Sequence, residues 1–239
     1  MSPFDTLLII LCGAVGFTLQ GAVGFGMGIL GSPILILIDT RLVPGPILAA
    51  TMVFTTLLTL RERRAIDLGG LRWAVIGRTA GTVPAAALLA VLPSEQLGLL
   101  FGGIVLFAVA ISISGLQVEP RPVSLLVGGA LSGMMGTIAA IGGPPMALLY
   151  QHAPGACVRG TLSSLFLAGT IISLVALVFV GRFGRDELQL TLALLPGALF
   201  GFVVSRRIAS RLDQGYTRRA VLAVAAVAGL IVVVRYFIA

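Results

Sequence analysis

The sequence predicts an all-α, polytopic membrane protein built from two inverted repeats, each containing a broken or re-entrant glycine- and proline-rich helix. Three observations carry this expectation. The 239 residues are 58% hydrophobic and only 10% charged, with a mean hydropathy of +1.10, whereas a soluble domain of this size needs a far larger charged surface. Apolar runs of about the 20 residues that a helix needs to cross a bilayer follow one another along the chain. The glycine–proline interruptions also occur twice, in matching order.

About eight hydrophobic segments fall at roughly 4–38, 43–60, 73–92, 97–115, 123–150, 158–181, 188–203 and 220–238. The connections are short and polar, such as Arg61-Glu62-Arg63-Arg64 and Arg206-Arg207, and no soluble domain fits between them. Residues 4–38 are too long for one ordinary crossing. A cluster of Gly21, Gly24, Gly26, Gly28 and Gly31 interrupts them, followed by Ser32-Pro33. Residues 123–150 are interrupted likewise by Gly128, Gly129, Gly133, Gly136, Gly142 and Gly143, followed by Pro144-Pro145. Inside apolar runs, glycine permits close helix packing and proline marks breaks.

An offset of 112 residues aligns Gly16 with Gly128, Gly21 with Gly133, Gly24 with Gly136, Gly31 with Gly143 and Pro33 with Pro145. It also pairs the hydroxyls of Thr51 and Ser163. Further on, an offset of 120 pairs the GxxxG step Gly77/Gly81 with Gly197/Gly201. The chain therefore reads as two transmembrane repeats, 1–119 and 120–239, forming one integrated membrane domain.

Arginine placement selects the topology. The net charge is +7, and all 16 basic residues are arginine. If every segment crossed once, connections 61–72 and 204–219 would lie on opposite sides and the arginine bias would vanish, against the positive-inside rule. If 4–38 and 123–150 each go in and return, 61–72, 116–122, 151–159 and 204–219 share one side. That side then holds eleven arginines against four on the other, with Arg78 inside a span. The second layout makes the halves inverted, puts both termini in the periplasm of a bacterial-type inner membrane, and matches the architecture of many secondary transporters. The arginines sit in short loops rather than on one soluble face, which excludes a nucleic-acid partner.

A helix that restarts inside the membrane presents unpaired N–H groups and a positive dipole end. Serine suits the cap and proline the first helical position, as in Ser32-Pro33, and Gly143-Pro144-Pro145 supplies a comparable start. Two such starts facing each other make an anion cradle. Arg78, expected about one and a half turns inside the span 73–92, either contacts the anion or snorkels to the surface. Gln20, Thr51, Ser163 and Ser164 either donate hydrogen bonds to a sulfonate or carboxylate or hold helices together. His152, the only histidine, is expected in a loop at the membrane edge.

Gly26-Met27-Gly28-Ile29-Leu30-Gly31 satisfies the dinucleotide pattern GxGxxG in letters only, because a 35-residue apolar run offers no preceding strand. Cys12 and Cys157 have no metal-like spacing. The start Met1-Ser2-Pro3-Phe4-Asp5 lacks a basic n-region, so no cleavable signal peptide is expected. Asp39, Asp67, Asp186 and Glu187 all sit near segment ends, so no catalytic carboxylate pair forms inside a span. No enzyme, no metal and no cofactor are expected.

The stretches GFTLQGAVGFGMGILGSP (Gly16 to Pro33) and GGALSGMMGTIAAIGGPP (Gly128 to Pro145) resemble the two signature stretches of the sulfite exporter TauE/SafE family of permeases. Arg64-Ala65-Ile66-Asp67 and Arg159-Gly160-Thr161 look like that family too. The resemblance implies a secondary transporter of sulfite, a sulfonate or a related sulfur oxyanion, with export favoured by the family name and proton coupling left open. It places signature positions at Gly21, Gly24, Gly31 and Pro33, and at Gly133, Gly136, Gly143 and Pro145. The first half departs from the pattern, with Phe25 and Met27 interrupting the glycine run and Ser32 standing where the second half has Pro144. The partners expected are a small anion and the lipid bilayer, with no oligomeric state assigned. The alternatives are an uptake permease for another small anion or organic acid, and a non-transporting membrane scaffold or sensor.

Overall fold

Two helical hairpins, each made of one long helix and one short one, organise the molecule. The computed structural model describes residues 2–209, 226–231 and 234. Among these, all regular structure is helical, and seven helices are long and apolar enough to cross a membrane.

The first hairpin begins with α1 (Pro3–Val23). Ser2 Oγ accepts from the Asp5 N–H at 3.1 Å while the Asp5 carboxylate accepts from the Ser2 N–H at 2.9 Å. This reciprocal cap satisfies two of the donors orphaned at a helix start. The helix ends at Gly24, whose φ of 100° suits glycine. A π turn (Met27–Gly31) then runs directly into α2 (Ser32–Ile38). Met27 lies beside Gly16, and Gly31 beside Cys12, so the short helix doubles back along α1.

The second hairpin repeats this arrangement. α6 (Pro122–Ala139) closes at Ala140, a non-glycine residue with φ 58°, and α7 (Gly143–Leu149) returns with Met146 and Leu149 beside Gly128. The long runs 4–38 and 123–150 are therefore in-and-back pairs.

A 3-10 turn (Thr40–Leu42) leads into α3 (Gly45–Glu62), and a second (Arg63–Ala65) leads to α4 (Leu68–Val91). α5 (Ser94–Ile113), α8 (Gly155–Phe179) and α9 (Arg185–Ile208) complete the long helices. Residues 226–231 are helical, with Gly229 against Val105 of α5. Most of the expected segment 220–238 lies outside the described residues, as do Arg211, Arg218, Arg219 and Arg235. α4 begins five residues before the apolar run expected at 73–92. Asp67 accepts from the Gly70 N–H at 3.0 Å and caps the helix, so Gly69-Gly70 form its first turn and not a loop.

The most extensive packing pairs α4 with α6 and α1 with α9. Gly77 and Gly81 of α4 press on the backbone of Leu126 and Ala130, while Gly129 and Gly133 of α6 press on that of Ala74 and Arg78. On the other pair, a β-carbon at Gly197 would stand 2.6 Å from the Ile10 carbonyl oxygen, and one at Gly201 would stand 2.7 Å from Phe17 Cβ. Lipid offers no hydrophobic drive between helices, so stability comes from such close approach of small residues. The two glycine steps found 120 residues apart thus make like contacts, each joining a helix of 1–119 to one of 120–239.

Arg61 Nη1 donates to Ser205 Oγ at 3.2 Å, and Nη2 donates to the Gly21 carbonyl at 3.0 Å. The end of α3, the end of α1 and the end of α9 therefore share one end of the bundle, which excludes the layout in which every segment crosses once. At the opposite end Arg182 donates to the carbonyls of Leu89 and Leu92, joining the ends of α8 and α4.

Candidate functional site

The two helix breaks meet inside the bundle. Gly28 lies against the Ala140 carbonyl, and Gly143 packs on the Phe25 side chain. Between them is a cavity of about 30 Å³, space for about two waters. The first break contributes Phe25, Gly26, Gly28 and Ile29; the second contributes Ala140, Gly142, Gly143 and Pro144. Gln20 of α1, Leu48 and Thr51 of α3, Arg78 of α4, and Phe166 and Thr170 of α8 complete the wall.

Arg78 is the charged group of this cavity. It stands ten residues after Leu68, which is about 15 Å along the helix and about half the thickness of the hydrocarbon core. The side chain is 2% exposed, so the snorkelling alternative fails, and its depth of nearly three turns replaces the expected one and a half. The difference follows from the early start of α4 at the Asp67 cap. Arg78 Nη1 donates to Ser132 Oγ at 2.6 Å and to the Ser132 carbonyl at 3.1 Å. Ser132 Oγ in turn donates to the Gly142 carbonyl at 2.6 Å, on the threshold of α7. The guanidinium carbon sits 5.6 Å from the centre of the Phe166 ring, within range of a cation–π contact. Arg78 Nε is buried without a hydrogen-bond partner among the described residues.

Three glycines make room for this group. Gly169 of α8 lies against Nε, Gly136 of α6 faces Nη2, and Gly142 faces Nη1. Among the described residues, the ion pairs join Arg41 to Asp39, Arg61 and Arg159 to Glu62, and Arg121 to Glu119; none reaches Arg78. An arginine at the centre of a membrane helix costs on the order of 3 kcal/mol. A buried cation without a counter-charge is the natural complement of an anionic ligand.

Gln20, Thr51, Arg78, Gly142, Gly143 and Pro144 of the expected site residues line the cavity. The others do not. Gly21 packs on Phe54 and Ser205, Gly24 on Val158 and Arg159, and Gly31 on Met27; Gly133 supports the Arg78 backbone. Ser163 accepts from Thr59 Oγ1 at 3.3 Å and donates to the Gly160 carbonyl at 3.0 Å, the helix-to-helix alternative. Ser164 Oγ donates to the Gly160 carbonyl at 2.8 Å, a bond within α8. Pro33 and Pro145 are buried in the first turns of their short helices.

The expected helix start at Ser32-Pro33 is corrected. The chain is already helical from Met27, so the break lies at Gly24–Gly26, and Ser32 Oγ is buried without a partner among the described residues and is not acting as a cap. The π turn absorbs Pro33, whose missing N–H would otherwise interrupt an α-helical ladder. The GxGxxG letters fall on that turn. His152 lies exposed in the turn between α7 and α8.

Sequence reasoning missed Ser132, Phe166, Gly169 and Thr170. The offset of 112 carries one usable signal, since it sets Ser132 against Gln20.

The two shorter motifs meet at one end of the bundle. The Asp67 N–H donates to Thr161 Oγ1 at 2.9 Å, and Glu62 accepts from Arg159 Nε at 3.1 Å. Tyr150 OH donates to the Asp67 carboxylate at 2.9 Å.

Seven membrane-length helices and two broken hairpins with a buried cation where the breaks meet define a polytopic membrane protein. The family Sulfite exporter TauE/SafE matches residues 8–232, nearly the whole chain, and the chain belongs to that family of membrane transporters. Searches of curated proteins and of solved structures returned no match.

Proposed function

We propose that this protein is a secondary transporter that exports sulfite, a sulfonate or a related sulfur oxyanion across the inner membrane by alternating access. The observation that carries the reading is Arg78: a guanidinium at mid-membrane depth, without a carboxylate partner among the described residues, lining a cavity between two helix breaks. An oxyanion 4 Å from that charge gains about 4 kcal/mol at an effective dielectric of 20. Gln20, Thr51 and Thr170 supply neutral hydrogen-bonding groups on the other walls. Phe25, Ile29, Leu48 and Phe166 supply apolar wall between these polar groups, and a low local dielectric strengthens each polar contact made there.

In this reading residues 1–119 and 120–239 are repeats of opposite orientation whose helices pair across the halves, both termini face the periplasm, and the arginine-rich ends face the cytoplasm. The α4–α6 and α1–α9 pairs move as units because their glycine contacts leave no slack. Access then changes where the pairs meet, around the two breaks.

Flux of sulfite into proteoliposomes, with and without a pH gradient and beside a sulfonate and an organic carboxylate, tests the proposal. Saturable sulfite or sulfonate flux that falls at least thirtyfold in Arg78→Ala, with partial recovery in Arg78→Lys, is the expected result; the lower bound corresponds to about 2 kcal/mol of the charge interaction. A response to the pH gradient would assign proton coupling. Flux of the carboxylate alone would move the substrate class. No flux from folded protein would overturn the transport reading in favour of a scaffold.

A further inference from the structure

We infer that Ser132 is a positioning residue: it fixes the Arg78 guanidinium at the cavity and ties it to the start of α7. The inference rests on the transport reading above and adds a residue that lies inside the second glycine-rich stretch but carries no role in the sequence reading.

Ser132 is fully buried on α6. Its hydroxyl has one proton, which goes to the Gly142 carbonyl at 2.6 Å, and its lone pairs accept from Arg78 Nη1 at 2.6 Å. The three groups form one chain, from guanidinium to hydroxyl to the carbonyl that precedes α7. Each bond in such a chain polarises the next. Among the described residues, both hydrogen bonds of the Arg78 guanidinium go to Ser132, one to the hydroxyl and one to the carbonyl.

The backbone holds this pairing in register. Gly133, next to Ser132, presses on the Arg78 backbone, and Gly81 presses on Ala130. The serine therefore cannot drift along α4. Gly142 has no room for a side chain, because a β-carbon there would stand 2.5 Å from Arg78 Nη1 and 2.9 Å from Ser132 Oγ. An anion drawn to Arg78 thus acts on the second break through Ser132. Without the hydroxyl, the guanidinium keeps only the longer bond to the Ser132 carbonyl and loses its defined orientation. A helix-gluing serine would bond across helices without touching the charged group, as Ser173 does with Thr137 at 2.8 Å.

The test is sulfite flux in proteoliposomes for wild type, Ser132→Ala, Ser132→Thr and Ser173→Ala, alongside thermal unfolding of each. The expected result for Ser132→Ala is a KM raised ten- to hundredfold, the worth of one charge-assisted hydrogen bond, with maximal flux changed less than threefold. Ser132→Thr, which keeps the hydroxyl, returns KM to within about threefold of wild type, and Ser173→Ala leaves KM unchanged even where it lowers the melting temperature. A wild-type KM in folded Ser132→Ala, while Arg78→Ala loses flux, would overturn the positioning role and leave the transport reading standing. If Ser132→Thr fails to fold, Ser132→Ala against Ser173→Ala decides: equal KM values in the two sink the inference. Absence of saturable flux in wild type would remove the transport reading itself, and the inference with it.

Discussion

Replacing Gly169 by alanine would place a methyl carbon where Arg78 Nε now lies, on the face of α8 that closes the arginine site. Arg78 cannot yield by a small rotation, because Ser132 holds Nη1 on one side and Gly136 and Gly142 leave no spare room on the others. Either α8 shifts or the guanidinium is expelled, and overpacking of this kind costs about 1–3 kcal/mol. In an Arg78→Ala background the same methyl enters space vacated by the arginine, and the penalty disappears. The double-mutant cycle therefore has a coupling energy of about 2 kcal/mol. That corresponds to roughly 4–8 °C in melting temperature for a protein of this size. Thermal unfolding in detergent of wild type, the two single variants and the double variant reads it. Flux should also fall in Gly169→Ala, although Gly169 does not line the cavity. Additivity of the two substitutions within about 0.5 kcal/mol would refute the close packing of Arg78 on Gly169.

Gly81→Leu and Gly201→Leu should each lower stability by about 2–3 kcal/mol, because both glycines abut the backbone of a neighbouring helix. Gly103→Leu on α5, with no described residue within 4 Å of its β-position, should leave thermal unfolding unchanged. Arg41 holds the Asp39 carboxylate below its ordinary value through its side-chain hydrogen bonds. A carboxylate whose folded pKa is lowered contributes stability above its unfolded value of about 4, and that contribution is lost as pH falls through the folded value. Arg41→Ala should therefore be slightly less stable than wild type at pH 7 and equal to it near pH 2 in unfolding curves.

Composition and periodic apolar runs were enough to identify a helical membrane protein, because a span advertises itself over about 20 residues. The in-and-back course of 4–38 was legible from excess length together with Gly24 and Gly26, and that of 123–150 from Gly142-Gly143. The location of the first break was not: Ser32-Pro33 reads locally as a cap, and only the packing of Met27 on Gly16 shows a helix already running there. Arg78 was recognisable as an intramembrane charge, but its depth depended on Asp67 capping a turn rich in glycine. Gly169 and Ser132 carried little signal because their roles are contacts between helices far apart in sequence. A glycine in an apolar helix looks the same whether it faces a backbone, a lipid or a guanidinium.

The arginine site occurs once, although the backbone pattern occurs twice. At an offset of 112, Phe166 corresponds to Phe54, and Gly136 corresponds to Gly24. Phe166 covers the Arg78 guanidinium, whereas Phe54 packs on Phe17, their ring centres 4.9 Å apart. The other two glycines of the cradle have leucine counterparts: Gly142 corresponds to Leu30 and Gly169 to Leu57. At the offset of 120 that relates the glycine steps, Arg78 itself corresponds to Ala198. The second position therefore lacks both the cation and two of the three glycines that would admit one. A second buried guanidinium close to the first would repel it with no carboxylate to offset either. A duplicated scaffold can supply two helix breaks and two glycine-packed pairs, but in the transport reading proposed above the charge that would select an anion works only in the singular. That is why the side chains around the cavity have diverged where the glycines between the helices have not.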